Sequence, residues 1–566
     1  MHRQNQSWDL LRSLHSQSTI PWCYVGDFNK IIRLEEKQGR VLRPDTQMQA
    51  FRDVLDDCGF CDLSYTGAPF TWCNNRFSGP TVWERLDKAI ASPSWITRFP
   101  HANIHHLDYI GSDHKALWIN PTESPIVSGN KPFRFEEMWL SEEECSKTIE
   151  AAWQATSKGN DMFQVISKLK LCKNQLKSWS RSSFSSVRKK LEEKRVELNQ
   201  AEAQSMRGAP SDRIPAIHRE LESLLSKEER MWKQRSRTQW LQHGDRNTSF
   251  FHGCATNRHR RNKIVGLRNN DGEWHSEPTQ VQTMLISYFQ ELFQISNPCS
   301  IDSMLQCVPS VVTDAMNETL TIPYMAIKVN VALKQMKPMT APGADGLLSV
   351  FYQSQWHVIG EDVTRRVLSC LNSGKLIRSI NHTNITLIPK VKSPEKVTDY
   401  KPISLYNVLY KIISKVVANQ LKAILPSIIS KTQSAFVPGR LITDNILVAF
   451  KTLHHMQNNR RGKEGQMALK LDMSKAYDRV EWNFLTALMS KMGFHPKFTA
   501  MIHECISTVS YSILINGSPH GNFRPHRGIR QGDPLSPYLF ILCAKSLHRL
   551  IHKSRVEGTI SGVALC

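Results

Sequence analysis

Two groups of polar residues have the types and the order that phosphoryl-group chemistry needs. In the first, Asp27 and Asn29 follow an apolar run, and Ser112, Asp113 and His114 come later in the chain. An Asp-His pair beside further Asp and Asn side chains suits metal-assisted phosphodiester hydrolysis. His114 would stabilise the scissile phosphate or handle a proton, Asp113 would fix its tautomer, and Asp27 and Asn29 would orient water and phosphate. A lone Ser-Asp-His is usually a loop, so the prediction depends on the whole series.

The second group centres on Asp472, which ends the apolar run 468–471. Such a run predicts a strand. Nucleotidyl transfer needs carboxylates on rigid strand ends, because two Mg²⁺ ions roughly 3.5–4 Å apart must be clamped between them. An Asp at this place is more often a helix cap, so the segment alone is weak evidence. Asp478, six residues further on, is predicted to be structural because it lies past the strand end.

Three regions differ in pattern. Residues 1–120 contain short β-like runs divided by turn residues, which predicts a mixed or antiparallel sheet with few helices. Residues 121–300 begin with a stretch rich in Pro, Ser and Gly and continue with helical spacing, which predicts a helical hairpin across 163–240. From 301 to 566, helical segments alternate with short apolar runs. The sequence therefore predicts a multidomain α+β protein with boundaries near 120 and 300.

Composition limits the class of partner. The chain has 566 residues, 40% of them hydrophobic, and its 73 Lys and Arg exceed its 51 Asp and Glu by 22. This excess favours a polyanion such as nucleic acid. The 13 cysteines are an odd, scattered set, and the N-terminal sequence has no apolar signal core. We therefore expect an intracellular protein, nuclear or cytoplasmic, that is not secreted and does not enter a membrane.

The region between 227 and 263 carries ten Lys and Arg against three acids, with aromatic residues among them. Positive charge beside aromatics suits phosphate contact and base stacking, but a solvated helical face with core aromatics is an equally good interpretation. The candidate nucleic-acid-binding residues are Lys233, Arg235, Arg237, Arg246, Arg258, Arg260 and Arg261. Cys58 and Cys61 have zinc-like spacing, but no second pair completes a site, which favours buried thiols.

Four segments extend the evidence around Asp472. In order, 389–396, 399–405, 433–440 and 527–537 resemble the reverse transcriptase domain of plant non-LTR (LINE-type) retrotransposons, from fingers into palm. The resemblance implies that Asp472 binds Mg²⁺ and that Tyr477 lies under the sugar of the incoming nucleotide. It places two residues in the loop that positions nucleotide and template and two near phosphates in the fingers. These residues are Gln531 and Gly532, and Lys390 and Lys401, respectively.

The first group also extends into a longer series. Together with Thr71, Asp87 and Ser112, the residues from Asp27 to His114 resemble the C-terminal half of the endonuclease/exonuclease/phosphatase fold found in the same retroelements. The resemblance gives those three a supporting role. It implies a partial two-sheet endonuclease fold over 1–120, a basic helical linker, and reverse transcriptase fingers with a partial palm, core 385–566, lacking the last palm strands and the thumb.

Both resemblances are incomplete in this sequence. The family's aromatic-Ala-Asp-Asp hairpin does not occur between 537 and 566, and only 26 residues precede Asp27. We therefore expect a retroelement-derived reverse transcriptase with an associated endonuclease region that is catalytically defective as given, with negligible nicking and poor autonomous folding of 1–120. The implied partners are an RNA template, a DNA target or primer, dNTPs and Mg²⁺. A non-catalytic RNA- or DNA-binding protein is the alternative, and the sequence does not indicate the oligomeric state.

Overall fold

The computed structural model describes residues 2–563 with gaps. The residues outside the description are 1, 18–19, 40–42, 64, 75–81, 100–101, 108–111, 122–131, 156–160, 183–186, 206, 208–212, 238–250, 252–253, 257, 259–260, 299–300, 392–393, 459–465 and 564–566. Within the described part, no helix combines the length and the apolar content that crossing a lipid bilayer requires.

Residues 2–120 form small sheets with a few helices. The strands are β1 (Cys23–Asp27), β2 (Lys37–Gln38), β3 (Cys61–Asp62), β4 (Tyr65–Gly67), β5 (Trp72–Cys73), β6 (Trp83–Glu84), β7 (Asp87–Ala91), β8 (Asn103–Leu107) and β9 (Ala116–Asn120). The helices are α1 (His2–Ser16), α2 (Asp45–Asp57) and α3 (Pro93–Arg98). The strand orders are β1-β7-β3, β2-β6-β5 and β4-β8-β9. Strands β4 and β8 are parallel and β1 and β7 antiparallel, which agrees with the mixed pairing predicted for this region.

An ionic cluster joins these sheets beside the apolar core. Arg85 is buried, and its guanidinium donates two hydrogen bonds to Asp62 at 2.6 and 2.7 Å and one to Glu36 at 3.1 Å. Lys88, also buried, lies 3.2 Å from the second Glu36 oxygen. Because buried charges are costly without partners, this matched set fixes the start of β7, the strand that begins with Asp87.

A helical region follows. It contains α4 (Glu143–Gln154), α5 (Asp161–Ser182), α6 (Val187–Ser205) and α7 (Ile214–Ser236). Helices α6 and α7 pack against each other as a hairpin, which confirms the prediction from heptad-like spacing. Leu191 of α6 and Ile217 and Leu221 of α7 are buried at the spacing that a helical stripe requires.

A four-stranded sheet organises the C-terminal region. Its strands are β12 (His382–Pro389), β13 (Tyr400–Tyr406), β14 (Ser510–Ile515) and β15 (Ser518–Phe523), in the order β13-β12-β14-β15. Strand β12 is antiparallel to β13 and parallel to β14. Asn516 and Gly517 have φ angles of 50° and 93° and close the β14–β15 hairpin, because a tight two-residue turn needs left-handed backbone. A separate two-stranded ribbon joins β10 (Leu267–Arg268) to β11 (Trp274–His275).

The C-terminal region also has helices, and most of them pack on this sheet or extend the core. They are α8 (Pro278–Leu292), α9 (Ile301–Gln306), α10 (Asp314–Thr321), α11 (Ala326–Lys334), α12 (Ser349–Ser354), α13 (Trp356–Ser373), α14 (Val408–Ile428), α15 (Ile442–Asn458), α16 (Trp482–Lys491), α17 (Pro496–Ser507) and α18 (Ser536–Val556). Helix α8 packs on β14 and β15. The largest apolar cluster is continuous from Phe135 through α5 and α7 to α14 and α18, so the helical region shares a core with the C-terminal region.

The strand predicted at 468–471 is wrong. Residues 466–473 have neither helical nor strand conformation, and all of them are exposed. A strand forms when a neighbour pairs with its backbone, and the described sheet ends at β13 and β15 without reaching this segment. The prediction failed because an apolar run carries no information about whether a pairing partner is present.

Candidate functional site

Three residues predicted for the first group meet at one point. Asp27 ends β1, Asp87 begins β7 in register with it, and His114 follows the nearby loop. Ligand atoms of these three side chains lie within 4.8 Å of one another, and in the part of the chain that the structure describes they are the one such group of three. The two carboxylates supply oxygen ligands of the kind that Mg²⁺ or Mn²⁺ takes, and the imidazole lies beside them. The fold therefore assembles a candidate metal centre.

The tautomer of His114 is fixed by a different acid from the one predicted. His114 Nδ1 lies 2.9 Å from Asp87 Oδ2, so the imidazole donates to Asp87. The prediction that Asp113 has this role is wrong, because the Asp113 carboxylate accepts a hydrogen bond from the Trp72 indole at 2.9 Å instead.

Burial opposes a charge on His114, but the hydrogen bond and the negative charge of Asp87 outweigh it and raise the pKa of His114. Because Nδ1 is hydrogen-bonded to Asp87, Nε2 is the ring nitrogen left to contact a bound molecule. A protonated Nε2 donates to a phosphate oxygen or to a leaving group. This arrangement suits stabilisation of charge during phosphodiester cleavage.

The remaining members of this group support the centre. Asn29 has a φ of 51° and donates through both its backbone and its side-chain N–H to the two Asp27 oxygens, at 2.8 and 2.7 Å. Thr71 is completely buried, and its hydroxyl accepts the backbone N–H of Asp87 at 2.9 Å. Ser112 accepts the backbone N–H of His114 at 3.1 Å. Each contact restrains a residue that carries the chemistry.

Cys58 and Cys61 do not join this centre or any other described group of three ligands. Cys58 is buried in an apolar cluster with Trp8 and Phe51, and burial raises the pKa of its thiol. A thiol that resists deprotonation is a poor zinc ligand.

The second predicted site lies on one edge of the four-stranded sheet. The loop after Arg530 is tied to β13: the backbone N–H of Ser404 donates to Gln531 O at 3.2 Å, and the Tyr406 hydroxyl donates to Gly532 O at 2.7 Å. Gly532 has a φ of 103°, a conformation that favours glycine. The structure thus brings Gln531 and Gly532 to the strand that carries Lys401.

Lys390 and Lys401 occupy neighbouring strands at this edge. Lys401 is exposed on β13 opposite Ile388 of β12, and Lys390 is the exposed residue directly after β12. The Lys390 ammonium donates to Thr398 O at 2.9 Å, which leaves further N–H groups for other acceptors. Both cations therefore face solvent, Lys401 on the edge strand and Lys390 directly after the strand paired with it.

Tyr477 lies next to the segment that leads into the Gln531 loop. Its ring stacks on Phe540 of α18 at 5.2 Å, and its carbonyl accepts the N–H of Ile529 at 2.8 Å. Tyr477 therefore contacts the backbone at Ile529, two residues before Gln531 in the sequence. Asp472, five residues before it, is exposed and belongs to no described group of three metal-ligand side chains. The described residues therefore do not assemble a two-ion site around Asp472.

Asp478 is buried, as a structural acid should be, but its environment is unfavourable to charge. Burial raises its pKa to about 6, and the charges of Lys475, Lys390 and Arg479 only partly oppose this. Because the folded pKa exceeds the unfolded value, stability from this group is complete below about pH 4 and is lost as pH rises through 6.

Asp478→Asn is therefore expected to stabilise the sheet above pH 7 by about 1–3 kcal/mol and to flatten its stability between pH 4 and 7. Hydrogen–deuterium exchange of the β14–β15 hairpin measures this effect. The matched control is Asp271→Asn, at an exposed turn acid. A destabilised Asp478→Asn variant at pH 8 would show that the charged form is needed.

The basic residues of the helical region have mixed environments. Arg235 pairs with Glu136 at 2.7 Å and lies over the Trp232 ring, and Phe251 is buried, which agrees with the interpretation as a solvated face with core aromatics. Arg237, Arg258 and Arg261 are exposed, and Lys233 is half-buried. Arg246 and Arg260 lie outside the described residues.

Sequence reasoning missed two residues. Trp72 contacts Asp113, and the only available signal was its position directly after Thr71. Arg530 is buried beneath the Gln531 loop with its guanidinium 3.8 Å from the Tyr410 ring and 3.1 Å from Asp533. A basic residue before Gln531 gave no sign that it would be in the core.

Comparisons with known proteins agree with the second site. Residues 388–561 match the family model described as reverse transcriptase (RNA-dependent DNA polymerase). The chain is 26% identical over 553 residues to the transposon TX1 uncharacterized 149 kDa protein of Xenopus laevis, covering 94% of this chain and 41% of that protein. It is 25% identical over 271 residues to the retrovirus-related Pol polyprotein from type-2 retrotransposable element R2DM of Drosophila melanogaster, covering 48% of this chain and 24% of that one.

A third relative is the Pol polyprotein from type-1 retrotransposable element R2 of Popillia japonica, 25% identical over 219 residues, or 38% of this chain and 29% of that protein. The chain thus spans less than half the length of each of these three relatives. The matched family segment contains most of the sheet, Asp472, Tyr477 and the Gln531 loop. Residues 388–561 therefore match a reverse transcriptase domain, and the chain is similar to these transposon and retrotransposon proteins.

Proposed function

We propose that the chain holds an RNA template with its DNA primer at the β12–β13 edge of the sheet and takes part in RNA-directed DNA synthesis there. The observation that carries this proposal is the attachment of the Gln531 loop to β13, because it brings Gly532 to the strand that also carries the exposed Lys401. The exposed Lys390 follows the neighbouring strand β12. Lysines neutralise phosphates, and a glycine lets the backbone approach a base pair. The family resemblance adds dNTPs as substrates and Mg²⁺ at Asp472.

Lys390→Gln with Lys401→Gln tests the nucleic-acid contact. Each lysine that neutralises a phosphate contributes about 0.7–0.9 to the slope of log affinity against log salt, so the double variant is expected to lose roughly 1.4–1.8 from that slope. Fluorescence anisotropy of a labelled RNA–DNA template–primer measures it. The matched control is Lys189→Gln with Lys190→Gln on α6. Equal loss in the two double variants would place the nucleic acid elsewhere.

Primer extension separates the two candidate functions of this region. Incorporation that disappears in Asp472→Asn supports polymerisation, and salt-dependent RNA binding without incorporation favours the non-catalytic binding alternative.

A second activity, metal-dependent cleavage of a DNA strand, is favoured by the Asp27, Asp87 and His114 cluster. In this proposal the two aspartates hold a divalent cation, which would polarise the phosphate. Asp87 also orients His114, which donates a proton or a hydrogen bond to the phosphodiester. These roles, and residues 1–120 as the unit that carries them, remain proposals.

Asp87→Asn is expected to weaken Mn²⁺ binding roughly 10–100-fold, because it removes a negative charge from the cation site and disturbs the His114 partner. Isothermal titration of the full chain with MnCl₂ measures the affinity. Asp56→Asn, an exposed acid on α2, is the matched control. Mn²⁺ affinity that is unchanged by Asp87→Asn would remove the cation from this cluster.

A further inference from the structure

Trp72 connects the two parts of the chain that carry the cleavage residues. Its strand β5 pairs with β6, and an isolated antiparallel bridge joins Trp72 to His114. On either side of this bridge, Lys115 N donates to Thr71 O at 2.7 Å and Cys73 N donates to Asp113 O at 3.0 Å. The backbone of 71–73 therefore fixes the backbone of 113–115 relative to β6.

The side chains use the same connection. The Trp72 indole N–H donates to Asp113 Oδ2 at 2.9 Å, while the adjacent Thr71 hydroxyl accepts the backbone N–H of Asp87. The Trp72 ring packs on the apolar cluster of Ile31, Met48 and Leu86, so its direction is restrained. Asp113 is exposed, and the indole N–H binds one of its two carboxylate oxygens.

We propose that Trp72 is a positioning residue that holds the Asp113 carboxylate apart from His114, so that Asp87 alone orients the imidazole and one Asp113 oxygen stays open to the substrate side. Without the indole N–H, a mobile carboxylate one residue from His114 would compete with Asp87 for the ring or with the substrate phosphate for the cation. The expected effect on the cleavage rate rests on the proposed cleavage activity. The hydrogen bond between Trp72 and Asp113 rests on the geometry alone.

The test uses the full chain and four variants: Trp72→Phe, Asp113→Asn, the double variant, and Trp95→Phe as the matched control. Phenylalanine keeps one aromatic ring and removes the N–H donor, and Trp95→Phe controls for the volume that is lost with the indole. Cleavage of a duplex DNA oligonucleotide with Mn²⁺ is expected to show kcat lowered about tenfold by Trp72→Phe with KM within about twofold, as for the loss of one hydrogen bond to a charged group. The double variant is expected to be no slower than Asp113→Asn, because the two residues act as one unit. A kcat equal to that of Trp95→Phe, or additive losses, would overturn the proposal.

A second readout does not depend on turnover. In protein labelled with ¹⁵N-tryptophan, the indole resonance that disappears in Trp72→Phe is expected to lie downfield and to move in Asp113→Asn, as a charge-assisted hydrogen bond requires. If the wild-type chain does not cleave DNA, the cleavage proposal fails and this resonance decides the inference by itself. A Trp72 resonance that is indifferent to Asp113→Asn overturns it, and a shifted one supports it.

Discussion

Replacing Arg530 with methionine is expected to destabilise the sheet and its Gln531 loop by about 3–5 kcal/mol. The guanidinium is buried and donates to Thr383 and to Cys505 O, at 3.4 and 3.0 Å, and to Asn381. It also pairs with buried Asp533. Methionine fills much of the volume but leaves a buried carboxylate without its cation and several acceptors without donors, and that loss is large in a low-dielectric interior.

The free energy of unfolding is measured by denaturant titration, with hydrogen–deuterium exchange of the amides in β12 and β14 as the local probe. Arg530→Met combined with Asp533→Asn is expected to recover part of the loss, because it removes the uncompensated charge. Arg524→Met, at an exposed position on the segment after β15, is the matched control. Stability of Arg530→Met equal to that of the control would mean that the buried ion pair does not form.

The second large effect is expected at His114. His114→Ala should lower Mn²⁺-dependent DNA cleavage at least about 100-fold, the usual contribution of a positioned acid or base. His105→Ala is the matched control, because His105 lies on the neighbouring strand β8 and bonds Thr66 at 2.7 Å, away from the cluster. Cleavage that survives His114→Ala would assign the activity to another group or to a contaminant.

The same assay decides between two expectations. The motif series by itself predicts negligible nicking. The assembled centre of Asp27, Asp87 and His114 favours cleavage. A rate for the unmodified chain that is indistinguishable from that of His114→Ala would support the first expectation and contradict the second.

The order of the motifs predicted which residues form the candidate cleavage site, but it did not predict which side chains are hydrogen-bonded to each other. Asp113 is next to His114 in sequence, and Asp87 is 27 residues away, yet Asp87 holds the imidazole. The register between β1 and β7 aligns Asp27 with Asp87, and the Trp72 indole binds the Asp113 carboxylate. Pairing across a sheet is set by long-range register, which a single sequence does not display.

Periodicity was informative where local packing decides the structure. The spacing across α6 and α7 predicted a hairpin, and the structure confirms it with buried leucines at the expected positions. It failed at 468–471, where a strand needs a neighbour that the apolar pattern does not specify. The buried Arg530 was equally invisible, because its burial depends on acceptors from 381, 383 and 505 that converge only in the fold.

The central claim is that the β12–β13 edge and the Gln531 loop hold the template with its primer. Its most direct test is photocrosslinking of an RNA template containing 4-thiouridine, annealed to a DNA primer, with mass spectrometry of the linked peptides from the full chain. We predict crosslinks within 382–406 and 527–540, reduced by Lys390→Gln with Lys401→Gln. Crosslinks confined to 187–236 or to 1–120 would contradict the claim.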